Sequence, residues 1–194
     1  EKRIDRKSLG LLPEQFVIGS VGRFVALKNY PALIKAFARL RRLHDNVKLI
    51  LVGSGPDYEQ LVECARRMGV YHDVIFVVDQ PAVGYYQLFD CFALSSFKEG
   101  ISIALLEAMS CSIPSIVTNS LKKHDVLSGE IDGLVATSEE ELFEGLKRYR
   151  EEPGCRGKIG RMGFEKVSEQ FNFQTMLNQY VTLYHSCWAK NFQG

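Results

Sequence analysis

The chain has 194 residues, 46% of them hydrophobic and 24% charged, with 24 basic against 23 acidic groups and a net charge of +1. That is about one domain with ample apolar residues for a core; it excludes collagen-like and low-complexity chains. Near-neutral charge also argues against wrapping nucleic acid by bulk electrostatics, so no nucleic-acid partner is expected, although residues 1–50 carry 11 basic and 4 acidic groups against 13 and 19 in the remainder.

Residues 1–15 read as a leading segment whose Lys2, Arg3, Arg6 and Lys7 supply part of the basic excess as a frayed terminus. Phe16–Val21 (FVIGSV) reads as a strand, and Tyr30–Leu43 as a helix from apolar positions 33, 34, 37 and 40. Val47–Val52 is the next strand, 57–68 a helix, and 74–78 (VIFVV) a continuous apolar strand of the kind buried on both faces of a parallel sheet. A short helix over 83–89, a strand Cys91–Leu94, a helix over 102–111 and a strand Ser115–Thr118 follow. The pattern loosens over 119–133, and 134–135 reads as a last short strand. Ser138 followed by Glu141 is a capping box opening a helix that runs to about Arg150. Residues 152–157 (EPGCRG) read as a break before helices over 158–170 and 173–188, the second capped by Asn172, with a tail over 189–194. Strand–helix alternation at this spacing predicts an α/β fold: right-handed βαβ units in a doubly wound, Rossmann-like parallel sheet of about six strands. No internal repeat is visible.

The five cysteines (Cys64, Cys91, Cys111, Cys155, Cys187) are odd in number, have no CxxC spacing and lie mostly in apolar stretches, so buried free thiols of a cytoplasmic domain are expected and a zinc site is not. No window approaches the ~18 uninterrupted apolar residues of a spanning helix. His44, His72, His124 and His185 share no ligand spacing, and Ser95–Ser96 lacks a nucleophile elbow. Glu139–Glu141 reads as a helix start, and Lys122–Lys123 decide nothing between phosphate and membrane.

In a doubly wound sheet, ligands bind beyond the carboxyl ends of the strands. After the first strand comes GRFVALK, where Gly22 permits a sharp turn and Arg23 and Lys28 could clamp a diphosphate; the other reading is a solvated turn. After the second strand, Gly53-Ser54-Gly55-Pro56 invites a dinucleotide reading, which fails because Tyr58 occupies the place of the third glycine. After the fourth strand, Glu99 and Glu107 stand eight residues apart. On one helix that spacing is about 12 Å, too long for a glycosidase pair. A helix start near Ser102, Ile103 and Ala104 instead offers backbone N–H groups and a dipole to an anion. One turn in, Glu107 suits the paired hydroxyls of a ribose, and Glu99 faces whatever the phosphate carries.

Taken together, GRFVALK, LVGSGP and EGISIALLEAMSCSIP resemble the nucleotide-sugar-binding half of a retaining glycosyltransferase of GT-B fold (glycosyltransferase family 4, group 1), over residues 16 to 188. The resemblance implies a UDP-, GDP- or ADP-sugar donor. Arg23 and Lys28 would hold its diphosphate, Glu107 its ribose and Glu99 the transferred sugar. Backbone around Gly100, Ile101, Ser102 and Ile103 would meet phosphates and sugar, and the turns holding Gly22, Gly55 and Val78 would flank the donor and its base. It further implies that Arg23, Lys28 and Glu99 carry the catalysis with no metal or cofactor, because fixed cations and the helix N-terminus stabilise the departing diphosphate, and that retention proceeds by front-face attack.

The sequence departs from the family pattern at Ser102 (usually Gly or Pro), at Ser112 (usually Gly), and in SLKKHDVLSGEIDG, where Asp125 stands for a glutamate. Serine is unfavourable wherever φ must be positive. Family members carry a preceding acceptor domain, and nothing before Phe16 can be one. The chain, which opens on Glu1, is therefore expected to be an excised donor domain that binds nucleotide but transfers sugar slowly or not at all. A glycan or lipid-linked acceptor would be reached through the missing half, at the inner face of the membrane in the full-length protein. The last helix resembles one that packs toward that half; Phe171, Phe173, Tyr180, Tyr184 and Trp188 are most simply core, or have lost a partner surface. Two alternatives stay open: a nucleotide-sugar 2-epimerase, and a non-catalytic binding or regulatory module, for which Ser102 and Ser112 speak.

Overall fold

The computed structural model describes residues 4–118 and 126–191, with side chains described as far as Trp188. Six strands, β1 (Phe16–Val21), β2 (Val47–Val52), β3 (Val74–Val77), β4 (Cys91–Leu94), β5 (Ser115–Thr118) and β6 (Leu134–Ala136), form one parallel sheet in the order β3-β2-β1-β4-β5-β6. The connecting helices are α1 (Tyr30–Leu43), α2 (Tyr58–Arg67), α3 (Val83–Tyr86), α4 (Ile103–Ser110), α5 (Glu139–Glu151) and α6 (Pro153–Gln170), and α7 (Phe173–Asn191) follows them.

Alternation along the strands sorts side chains into two cores. Phe16 and Ile18 of β1, Leu49 and Leu51 of β2, and Cys91 and Ala93 of β4 pack under α1, α2 and α5. Val17, Ile50, Phe92, Leu94 and Val117 point the other way, against Tyr86, Leu105, Met109 and Val167 from α3, α4 and α6. Burial on both faces is why these strands read as continuous apolar runs. Gly19 in β1 exists because Phe89 lies against it: a Cβ there would sit 2.1 Å from the ring.

Several boundaries differ from the sequence expectation. EPGCRG is no break, because Pro153 starts α6, where a proline's missing N–H is harmless. Gly160 then lets α6 approach the Ser112 carbonyl, which a Cβ would meet at 2.2 Å. Arg6 is not frayed: its guanidinium donates to the carbonyls of Gln15 (2.6 Å) and Leu88 (3.1 Å) and pairs with Asp90 at 2.7 Å. Cys64 and Cys91 are buried as expected, but Cys111 and Cys187 are exposed. The terminal aromatics are not core: Phe173, Tyr180, Tyr184 and Trp188 are all more than half exposed. Ser112 does take a left-handed φ of 56°, whereas Ser102 has an ordinary φ of −84°. Lys122, Lys123, His124 and Asp125 lie outside the described residues.

Candidate functional site at the switch point of the sheet

Strand order reverses between β1 and β4: β2 and β3 extend the sheet one way, β5 and β6 the other. The loops leaving β1 and β4 therefore flank the crevice where such sheets bind ligands. Their main chains are tied together, Phe97 N–H donating to the Leu27 carbonyl (3.0 Å) and the Ser95 hydroxyl to the Lys28 carbonyl (2.9 Å). Thr118, at the end of β5, adds a bond to the Ser96 carbonyl at 2.8 Å.

These ties bring Lys28 onto Glu99. The ammonium pairs with Oε1 of the carboxylate, which also accepts from the Ser96 hydroxyl at 2.6 Å. The two charged side chains are only 20% and 19% exposed. Arg23, five residues before Lys28, is exposed and makes no ion pair among the described residues. Behind them lies Tyr30, 2% exposed, whose hydroxyl finds no hydrogen-bond partner among the described residues; the nearby Ser20 hydroxyl gives its own proton to the Ala93 carbonyl (2.6 Å). Burial pushes the Tyr30 phenol far above its ordinary value, and the Glu99 charge adds to this.

The second turn serves the first. A Cβ on Gly53 would sit 1.9 Å from the Gly22 carbonyl oxygen, and one on Gly55 2.3 Å from that of Phe24. Phe24 N–H donates to the Ser54 carbonyl (2.9 Å) and Asp57 N–H to that of Phe24 (3.1 Å), so GSGP clamps the backbone of the GRFVALK loop. Tyr58, the residue that breaks the dinucleotide fingerprint, stacks on Phe24 at 6.3 Å. Val78 stands just past the end of β3, part exposed, beside this turn through the Gly53 N–H to Val77 carbonyl bond (2.9 Å).

Ser102 is the N-cap of α4. Its hydroxyl accepts from Leu105 N–H and its carbonyl from Leu106 N–H, leaving the amides of Ile103 and Ala104 as first-turn donors without an intrahelical acceptor. Gly100 and Ile101 lead into that cap, Ile101 and Ile103 both exposed. Glu107, one turn beyond Ile103, shares its face of the helix. Its carboxylate is held by the Tyr86 hydroxyl at 2.6 Å. Burial first, then the bond and charge of Glu107, push the Tyr86 phenol far upward, so it stays a donor at any physiological pH. Nothing in the sequence marked Tyr86 or Tyr30; each is one aromatic in an amphipathic stretch.

Gly22, Lys28, Ser96 and Glu99 are thus brought into one cluster, Glu107 is fixed separately on α4, and Gly55 acts on the neighbouring loop. A cavity of about 240 Å³ adjoins the cluster through Ser96 and runs between Asn29, Thr118, Thr137 and Ser138. A wider one, about 630 Å³, lies along α5 and β6 and includes none of these residues. Among the described residues no cluster of His, Cys, Asp and Glu is arranged for a metal ion, and no helix is long and apolar enough to cross a membrane.

A doubly wound, six-stranded parallel sheet of this order, with its crevice at the switch point between β1 and β4, has the Rossmann-like architecture of one half of a GT-B fold. The chain belongs to the glycosyl transferases group 1, whose family model it matches over residues 1–166. It is 27% identical over 190 residues to the lipopolysaccharide core biosynthesis glycosyltransferase LpsD of Rhizobium meliloti, covering 96% of this chain and 54% of that protein. The fold is that of the C-terminal domain of the group 1 protein LpcC from Francisella tularensis (TM-score 0.76, 19% identity, 86% of this chain and 91% of that one). It also matches Anabaena HepE, solved in complex with UDP-glucose (TM-score 0.83, 22% identity, 93% and 51%). The chain spans about half the length of the curated relatives it matches.

Proposed function

We propose that this chain is the donor-binding half of a retaining glycosyltransferase that moves a sugar from a nucleoside diphosphate to a glycan or glycolipid acceptor of the cell surface. The observation that carries the reading is the convergence of Lys28 and Glu99 with the open first turn of α4 at the switch point. That HepE is solved with UDP-glucose, and that LpsD bears a lipopolysaccharide name, supports the substrate class.

In this reading Arg23 and Lys28 clamp the diphosphate from one side, and the amides of Ile103 and Ala104 meet it from the other, aided by the helix dipole. As the sugar departs, the same groups stabilise the growing charge on the leaving diphosphate, so no metal or cofactor is called for. Glu107, oriented by Tyr86, accepts from the ribose hydroxyls. Glu99 accepts from the transferred sugar, with Gly100 and Ile101 beside it, while Val78 borders the base and Gly55 holds the donor-facing GRFVALK loop. The acceptor is held by a preceding half, and the work is done on the cytoplasmic side of a membrane. Ser102 and Ser112 do not favour a non-catalytic module: Ser102 serves as a cap, and Ser112 closes the far end of α4.

Titration calorimetry with UDP, GDP and ADP and with their sugar conjugates tests the assignment. Lys28→Ala is expected to weaken binding of the nucleoside diphosphate sugar by about 1.5–3 kcal/mol, the range for a hydrogen bond to a charged group. Glu107→Ala is expected to weaken ribonucleotides while leaving 2′,3′-dideoxynucleotides unaffected. Equal binding by wild type and both variants would refute the residue roles.

A further inference from the structure

The cation assigned to the diphosphate is already taken. Lys28 is paired with Glu99, the group assigned to the sugar, and the pair is four-fifths withdrawn from water. The bonds from Phe97 to Leu27 and from Ser95 to Lys28 tie the two backbones together, so parting the pair by swinging the loops open would break both. Rotation of the flexible Lys28 side chain breaks neither. That side chain lies along Gly22, where a Cβ would stand in ordinary contact with it, 3.4 Å from Lys28 Cε and 3.7 Å from its Nζ.

Resting on the donor-site reading, we infer that Glu99 keeps Lys28 from the diphosphate until a sugar hydroxyl takes the lysine's place on Glu99, so that the site distinguishes a nucleoside diphosphate sugar from the bare nucleoside diphosphate. A bare diphosphate that draws Lys28 away strands the Glu99 carboxylate, with Ser96 the one donor left to it among the described residues, close to a new negative charge. A sugar nucleotide brings its own donor to that carboxylate. The two exchanges, lysine to phosphate and sugar to glutamate, therefore favour each other, which is a coupling free energy within one site. Arg23, exposed and making no ion pair among the described residues, supplies the first contact for either ligand. Once the sugar has been transferred, Glu99 recaptures Lys28 and lowers the hold on the departing nucleoside diphosphate.

The test is titration of wild type, Glu99→Gln, Lys28→Met and the double variant with UDP and UDP-glucose, or with the guanosine or adenosine pair if that base is the one bound. Thermal melts confirm that each variant is folded, and Glu99→Ala serves as a second variant that also frees Lys28. In Glu99→Gln, UDP should bind about tenfold tighter, within the ~5–150-fold span usual for coupled sites. UDP-glucose should not tighten, so the preference for the sugar nucleotide collapses. In the Lys28→Met background the Glu99→Gln gain should vanish, because no lysine remains to be released. An unchanged or weaker affinity for UDP in Glu99→Gln overturns the inference and leaves the donor site standing. So does an equal gain with Lys28→Met present, which would reflect only relief of charge repulsion. If no nucleoside diphosphate or its sugar binds wild type or variants at millimolar concentration, the donor-site reading falls and this inference with it.

Discussion

Ser112 closes α4 in the left-handed region at φ 56°, with its N–H on the Met109 carbonyl (2.9 Å) and the next amide, Ile113, on that of Ala108 (3.1 Å). Helices commonly end this way, but on glycine; a side chain with a Cβ costs about 1–2 kcal/mol there. Ser112→Gly should therefore stabilise the chain by about 1 kcal/mol, seen as a rise of roughly 2–4 °C in melting temperature. A fall would mean that the hydroxyl serves a purpose the backbone does not reveal. The same residue shows what was legible. Ser102 and Ser112 stood out equally against the family pattern, and only their places separate them, one an N-cap in extended conformation, the other a C-terminal turn. Likewise Lys28, Glu99 and Glu107 could each be named from motif and spacing. That Lys28 meets Glu99 could not, because the partners are 71 residues apart in sequence and three neighbouring strand ends present candidate charges. Tyr86 was invisible for a similar reason: its hydroxyl matters only because α3 folds over α4.

At the scale of elements, Asp73 joins three of them. Placed just before β3, it accepts from Lys48 of β2 at 2.7 Å and from Arg41 of α1 at 2.9 Å. Burial alone would raise its pKa, but the bonds and charges of Lys48 and Arg41 outweigh that, and the net shift is downward from 3.8. A carboxylate depressed in the folded state contributes stability above its unfolded pKa and loses it as pH falls through the folded value. Asp73→Asn should cost about 1.5 kcal/mol at neutral pH, near the low end for charged hydrogen bonds because water still reaches the group. In urea denaturation the gap between wild type and variant should hold from pH 7 to about 5 and close as pH drops below 3.8. A gap independent of pH would assign the loss to packing instead. The strands and helices themselves were readable from periodicity, since two-sided burial writes β1 to β5 as apolar runs. What failed was EPGCRG, read as a break from its composition. Pro153 at the helix start makes that stretch the opening of α6, and the helix is seated further on, where Gly160 and Gly163 face the carbonyls of Ser112 and Asp132, a matter of what lies opposite in space.

For the molecule as a whole, the six strands and the helices on both faces form one body, and α7 stands apart from it. From Phe173 to Trp188 every side chain is exposed except that of Thr175, which is half-buried. The apolar positions 173, 176, 177, 180, 181, 184 and 188 nevertheless follow the 3.6-residue period of a packed helix. That periodicity is why the aromatics read as core: sequence reports that a helix has an apolar face and does not report whether this chain covers it. Since little apolar area of α7 is withdrawn from water here, its burial adds little to the folding free energy at ~25 cal/mol per Å². The two cores beside the sheet end with Val167 and the part-buried Phe171. Ending the chain after Phe171 should thus leave the melting temperature within about 3 °C of the full chain, the equivalent of roughly 1 kcal/mol in a domain of this size. Nucleoside diphosphate affinity should be unchanged as well, because Lys28 and Glu99 hold each other with Ser96, and Glu107 is held by Tyr86 of α3, none of which belongs to α7. A drop of about 10 °C or more would show instead that α7 packs on the sheet domain in solution, and would restore the aromatics to its core.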